Sequence, residues 1–173
     1  MLVQRVLLPV SVVMMFSACS TMQDRIKEDL EPKECTIAGA KAPFWACGNY
    51  NESDRYLAVG SAPISKLGYD FTRKDALTNA RANLVNEIEV EVKAKTESYM
   101  RSTGISDTES IERVVSIVSR QTSSMVLNDS TQINSWENPN DKFLYLLVAT
   151  PKSSVNRVVD EEIKKALSSL DSL

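Results

Sequence analysis

An apolar run that ends in a cysteine divides this chain before folding begins. Val6 to Met15 follows a short basic start, the amino terminus and Arg5, and leads into Phe16-Ser17-Ala18-Cys19. That layout is a secretory signal, and its apolar part is too short to cross a bilayer as a permanent helix. Small residues directly ahead of a cysteine are what a bacterial lipoprotein signal peptidase requires. Cleavage there leaves Cys19 as the first residue, with diacylglycerol on its thiol. Phe16 stands where Leu is usual. The same run also reads as an ordinary cleaved signal or an uncleaved anchor, and in each case the remainder is exported. What must fold is therefore residues 19–173, outside the cytoplasm and long enough for one domain with a single core. No long apolar stretch follows Cys19, so acyl chains on that residue are the only membrane anchor expected.

An exported chain can keep disulfides. With Cys19 used for lipid, Cys35 and Cys47 remain, an even pair that suggests one bridge; two free thiols are the alternative. Two cysteines without histidine cannot complete a zinc site, and the chain has no histidine. That also removes the commonest general base. A net charge of −3 with no basic stripe argues against nucleic acid as a partner.

Ser20 to about Glu34 is polar and reads as a flexible tether, with a single domain over 35–173. Lys41-Ala42-Pro43-Phe44-Trp45 marks the start of packed structure. Arg55–Ala62 (RYLAVGSA) predicts a strand in which Gly60 suits a bend or a close backbone approach. A helix is expected from about Phe71 to Asn86, capped by Asp70 or Thr72, with Ala76, Ala80 and Leu84 on one face. Ile88, Val90, Val92 and Ala94 then alternate with Glu89, Glu91, Lys93 and Lys95, which predicts a half-buried strand with a wet, charged face. Ser102-Thr103-Gly104 breaks the chain. A Ser106/Glu109 capping box opens a second helix to about Ser124. A polar strand over 126–136, a turn at Asn138–Asp141 and an apolar strand at Phe143–Ala149 form a hairpin, and a last helix follows Pro151. The expected fold is α+β, an open sandwich with a mostly antiparallel sheet and helices on one face, in the order β-α-β-α-β-β-α.

No catalytic constellation emerges. Glu89 and Glu91 read as a solvated ladder, and Asp160-Glu161-Glu162 as a wet helix face. The 138–141 turn lacks the spread of ligands a calcium loop needs. No metal, cofactor, small-molecule substrate or enzymatic activity is expected. Recognition falls to aromatics: Trp45, Phe143 and Tyr145 are the candidates for an assembly interface. Phe143, Tyr145 and Leu147 lie on one face of their strand and Leu144, Leu146 and Val148 on the other. Only one face can meet the helices, so the other needs cover from a neighbour or from the entry segment around Trp45.

Pro43-x-Trp45, the strand ending in Val59-Gly60, and the helix segment Ala76-Leu77-Thr78-Asn79-Ala80-Arg81-Ala82-Asn83-Leu84, together with the Cys19 site, resemble the LPP-twenty lipoproteins of Gram-negative outer membranes. Within that family the similarity is greatest to the flagellar FlgP branch, whose members form disks or rings around the motor. The resemblance implies an open sandwich, lipid on Cys19, no catalytic site, a homo-oligomeric ring or disk as partner, the outer membrane reached through lipid from the periplasmic side, and contact with flagellar motor components. A surface-displayed envelope lipoprotein binding a host or envelope partner, without flagella, is the alternative.

Overall fold

The computed structural model describes residues 34–50 and 52–170. The signal, Cys19 and the tether lie outside the described residues. From Cys35 onward the chain forms one compact unit. It opens with a two-stranded hairpin, β1 (Thr36–Ile37) and β2 (Ala40–Lys41), and a 3-10 turn at Phe44–Cys47. Then come β3 (Arg55–Pro63), α1 (Tyr69–Ser102), α2 (Thr108–Asp129), β4 (Thr131–Glu137), β5 (Phe143–Pro151) and α3 (Lys152–Leu170). The main sheet is antiparallel, in the order β3-β5-β4. The α+β class and the open sandwich are as expected, and the predicted 143–149 strand is indeed apolar on both faces.

One expected element is wrong. Ile88–Lys95 is not a strand but the middle of α1, a helix of 34 residues. Glu, Lys and Ala are strong helix formers, and that preference wins over the alternation. The buried residues of α1 recur at every fourth position: Thr72, Ala76, Ala80, Leu84, Ile88, Val92, Thr96 and Met100. Ile88 and Val92 belong to this row, whereas Val90 is 74% exposed. The alternation arose because two residues of the row were joined by exposed Val90 and Ala94. A four-residue step overshoots a 3.6-residue turn, so the row winds around the helix and follows an inclined ridge. Its first half therefore faces the sheet, and its second half joins Ile111, Val114 and Val118 of α2 and Val155, Val159 and Ile163 of α3 in the main core.

The expected order also placed the helix starts differently. Gly68, not Asp70 or Thr72, precedes α1, and the Thr72 hydroxyl is buried instead, accepting from the Ser65 amide at 2.8 Å. Asp107 rather than Ser106 caps α2, accepting from the Ser110 amide at 2.8 Å. That hydrogen bond holds the Asp107 carboxyl below the usual carboxylate range.

The Ala-rich segment explains how α1 grips the sheet. Ala76 and Ala80 are fully buried against β3, where Gly60 leaves no room for a side chain: a Cβ there would lie 2.0 Å from the Ala80 nitrogen. One turn apart, Asn79 and Asn83 donate to the Ser61 and Val59 carbonyls at 2.9 and 2.8 Å. These are carbonyls of an edge strand, so two side-chain amides occupy acceptors that another strand would otherwise use. Arg81 reaches the other way, to the Ser130 hydroxyl and carbonyl at 3.1 and 3.2 Å, just before β4. One helical stretch thus locks both edges of the sheet.

Candidate functional site: the outer face of the sheet

β5 decides what each face of the sheet does. Leu144, Leu146 and Val148 are buried beneath the helices. Phe143, Tyr145, Leu147 and Ala149 point the other way by the two-residue period of a strand. On that outer face Leu147 and Ala149 pack with Leu57, Val59 and Ile133 of the neighbouring strands, under Trp45 and Tyr50. The cover is the entry lobe, so Trp45 closes the middle of the face within one chain. Cys35, Ala42 and Ala46 form the lobe's own small core with Ile37, Trp45 and Trp136.

Cys35 and Cys47 are joined, with Cα atoms 6.1 Å apart and a sequence separation of 12. The bridge ties the first residue of the lobe to the end of the 3-10 turn that carries Trp45. Replacing both by Ser is expected to lower stability by about 2–3 kcal/mol, the loop-closure value for so short a ring. Urea unfolding of purified protein measures it; an unchanged midpoint would show that the lobe holds Trp45 in place without the bridge.

Beyond the lobe the face carries an aromatic row. Trp136 lies opposite Tyr145 in the β4–β5 register, their rings 5.3 Å apart, and Phe143 stands 6.5 Å on the other side of Tyr145. All three are half-buried. The Tyr145 hydroxyl donates to Asp141 Oδ2 at 3.1 Å, while Asp141 Oδ1 accepts from the Phe143 amide at 2.9 Å. Burial first, then the Asp141 carboxylate, pushes the Tyr145 phenol up, so it stays a neutral donor. Of the three residues expected at an interface, the fold brings Phe143 and Tyr145 together and gives Trp45 to the lobe. Trp136 completes the row through cross-strand register, which no local pattern announces.

The charged residues singled out in sequence are separated by the helix. Residues two apart on a helix point in nearly opposite directions, so Glu89 and Glu91 do not share a face. Glu91 accepts from the Tyr56 hydroxyl, whose pKa is raised strongly by burial and then by this carboxylate. Lys152 Nζ sits 5.2 Å over the Tyr56 ring, and burial raises the nearby Glu87 carboxyl against the opposing pull of Lys152. Glu89 instead lines an open groove of about 570 Å³ between α1 and α2, with Lys93, Glu97, Glu112 and Arg120. Lys95 leaves that group and pairs with Asp160 at 3.0 Å, tying α1 to α3. Glu161 and Glu162 pair along α3 with Arg157 and Lys165. Among the described residues no three acidic, Cys or His side chains gather where a metal ion could be held.

Residues 43–150 match the family model for LPP20 lipoproteins. The chain belongs to the LPP20 lipoprotein family. The match opens at Pro43, one residue ahead of the 3-10 turn, and closes at Thr150 near the end of β5. It therefore takes in Trp45, the Gly60–Ala80 contact, the Asn79–Arg81–Asn83 clamp and the whole aromatic row of this LPP20 lipoprotein. Among curated proteins, none matches the chain. No helix of the described residues is long and apolar enough to cross a membrane.

Proposed function

We propose that this lipoprotein is a non-enzymatic scaffold of the FlgP type. Lipid on Cys19 holds each copy to the outer membrane from the periplasmic side, and the domains pack sideways into a disk or ring that seats the flagellar motor. The observation that carries this reading is the Trp136–Tyr145–Phe143 row, half-buried on the outer sheet face of an LPP20 chain beyond the part that the entry lobe covers. Half-buried aromatics beside polar rims are the composition of subunit contacts. The Asn79 and Asn83 amides on β3 favour contact by faces over strand addition at that edge.

The experiment is complementation of a deletion strain, with tomography of the motor and membrane fractionation. Wild type is expected to restore the disk and swimming. Cys19→Ser is expected to lose palmitate incorporation and membrane attachment. Tyr145→Asp is expected to stay lipidated and folded, by circular dichroism, yet form no disk. Normal motors and swimming in the deletion strain would refute the flagellar role and favour a surface-displayed lipoprotein that binds a host or envelope partner.

A further inference from the structure

Four of the nine exposed large apolar side chains among the described residues fall within eight positions of the chain: Ile64 (38%), Leu67 (77%), Tyr69 (54%) and Phe71 (51%). They sit on the loop between β3 and α1 and on the first turn of that helix. We propose that this tip inserts into the interface of the bilayer that holds the lipidated amino terminus, as a second, non-covalent membrane contact. The inference rests on the reading of Cys19 as a lipid anchor.

Three observations carry it. First, the tip is built rather than frayed. The Ile64 amide donates to the Lys142 carbonyl at 2.8 Å, that of Ser65 to Thr72 Oγ1 at 2.8 Å, and those of Leu67 and Gly68 to the Ser65 hydroxyl and carbonyl at 3.0 and 3.2 Å. These four amides have their partners inside the protein, which lowers the cost of moving this loop out of bulk water. A loop with these bonds still presents Leu67 and its neighbours outward, although burial would stabilise them.

Second, the chain enters the domain at the same end of the sheet. The tip is fastened to the 138–142 turn through Lys142. The β1–β2 hairpin is fastened to that same turn, Asn138 Nδ2 donating to the Ile37 carbonyl and Asn140 Nδ2 to that of Ala38, both at 3.0 Å. Cys35, where the chain enters, packs with Ile37 and Trp136 beside this turn. Only 15 chain steps lead from Cys19 to Glu34, a reach of at most about 50 Å. A domain tethered at this end can bring the tip to the surface that holds the lipid.

Third, the surroundings suit lipid headgroups. Lys66 and Lys142 are exposed at the tip and Arg73 and Lys74 one turn into α1, against Asp70 and Asp75 on the helix and Asp141 in the turn. Leucine and aromatics flanked by lysine are the makeup of interfacial anchors. Docked this way, the strands point at the membrane, and the outer face with its aromatic row is turned sideways, toward a neighbour in the plane.

The test uses the full lipidated protein in vesicles of phosphatidylethanolamine and phosphatidylglycerol. With Cys19 acylated and Cys35 bridged to Cys47, Leu67→Cys supplies the one free thiol for a nitroxide label. Val90→Cys, exposed in the helix interior of α1, is the aqueous control. The expected result is a ratio of oxygen to nickel-chelate collision about tenfold higher at 67 than at 90, with unchanged melting. Equal ratios would place the tip in water and overturn the proposal. A label shielded from both reagents would overturn it in favour of contact with a second copy. Mass spectrometry of the amino-terminal peptide separates the two layers. Acyl chains present with an aqueous label defeat the tip alone, whereas their absence defeats the anchor reading and the proposal with it.

Discussion

Gly60→Ala is expected to cost the domain about 3 kcal/mol or more, lowering the melting temperature by roughly 10 °C. The added methyl group would meet the Ala80 nitrogen at 2.0 Å, the Ala80 Cα at 2.5 Å and the Ala76 carbonyl oxygen at 2.6 Å. All three are backbone atoms of α1, so no side chain can rotate out of the way. The helix must lift off the sheet. Lifting stretches the Asn79 and Asn83 bonds to β3 and loosens Leu84, Leu144 and Leu146, which are buried at the same layer. Gly104→Ala is the control. Nothing lies within 4 Å of its methyl position, and its cost is confined to the left-handed backbone at φ 87°, about 1 kcal/mol. Thermal unfolding followed by circular dichroism measures both. A Gly60→Ala protein melting within about 3 °C of the parent would mean that α1 does not lie on β3 this closely.

The second large effect distinguishes helix from strand in the middle of α1. Ile88→Asp is expected to leave the protein unfolded, because it puts an unpaired carboxylate in the main core at a loss of more than about 4 kcal/mol. Val90→Asp, two residues on, is expected to change stability by no more than about 0.5 kcal/mol, since that side chain is 74% exposed. In a strand the two positions would share a face and suffer alike. Expression of folded protein and urea midpoints give the answer, and comparable damage at both sites would rule out the helix.

Much of the fold is legible from residues alone. Arg55–Pro63 and Phe143–Pro151 announce themselves as strands by β-branched and apolar runs between turn residues, and Asn138–Asp141 announces the turn of their hairpin partner. Cys35 and Cys47 stand out as a pair once the first cysteine is assigned to lipid. Gly60 beside two small residues on a helix signals close approach, and the contact with Ala76 and Ala80 is what it permits. The outer face is partly legible too: a strand apolar on both sides must be covered twice, and Trp45 of the entry lobe supplies part of the second cover.

The rest depends on contacts between distant parts of the chain. Ile88–Lys95 carries a local pattern compatible with two structures. A four-residue row that winds around a helix looks irregular in any short window, and only its partners, the sheet at one end and α2 and α3 at the other, make it one continuous buried ridge. Register places Trp136 on Tyr145 across two strands. The folding-back of the β3–α1 loop leaves Leu67, Tyr69 and Phe71 outside although their composition suggests a core. The sequence by itself determined the α+β class, the family and which two cysteines stand as a pair, because each rests on residue type and spacing along the chain. Tertiary structure alone decided which apolar residues are spare, because an exposed aromatic differs from a buried one only in what the remainder of the chain brings against it.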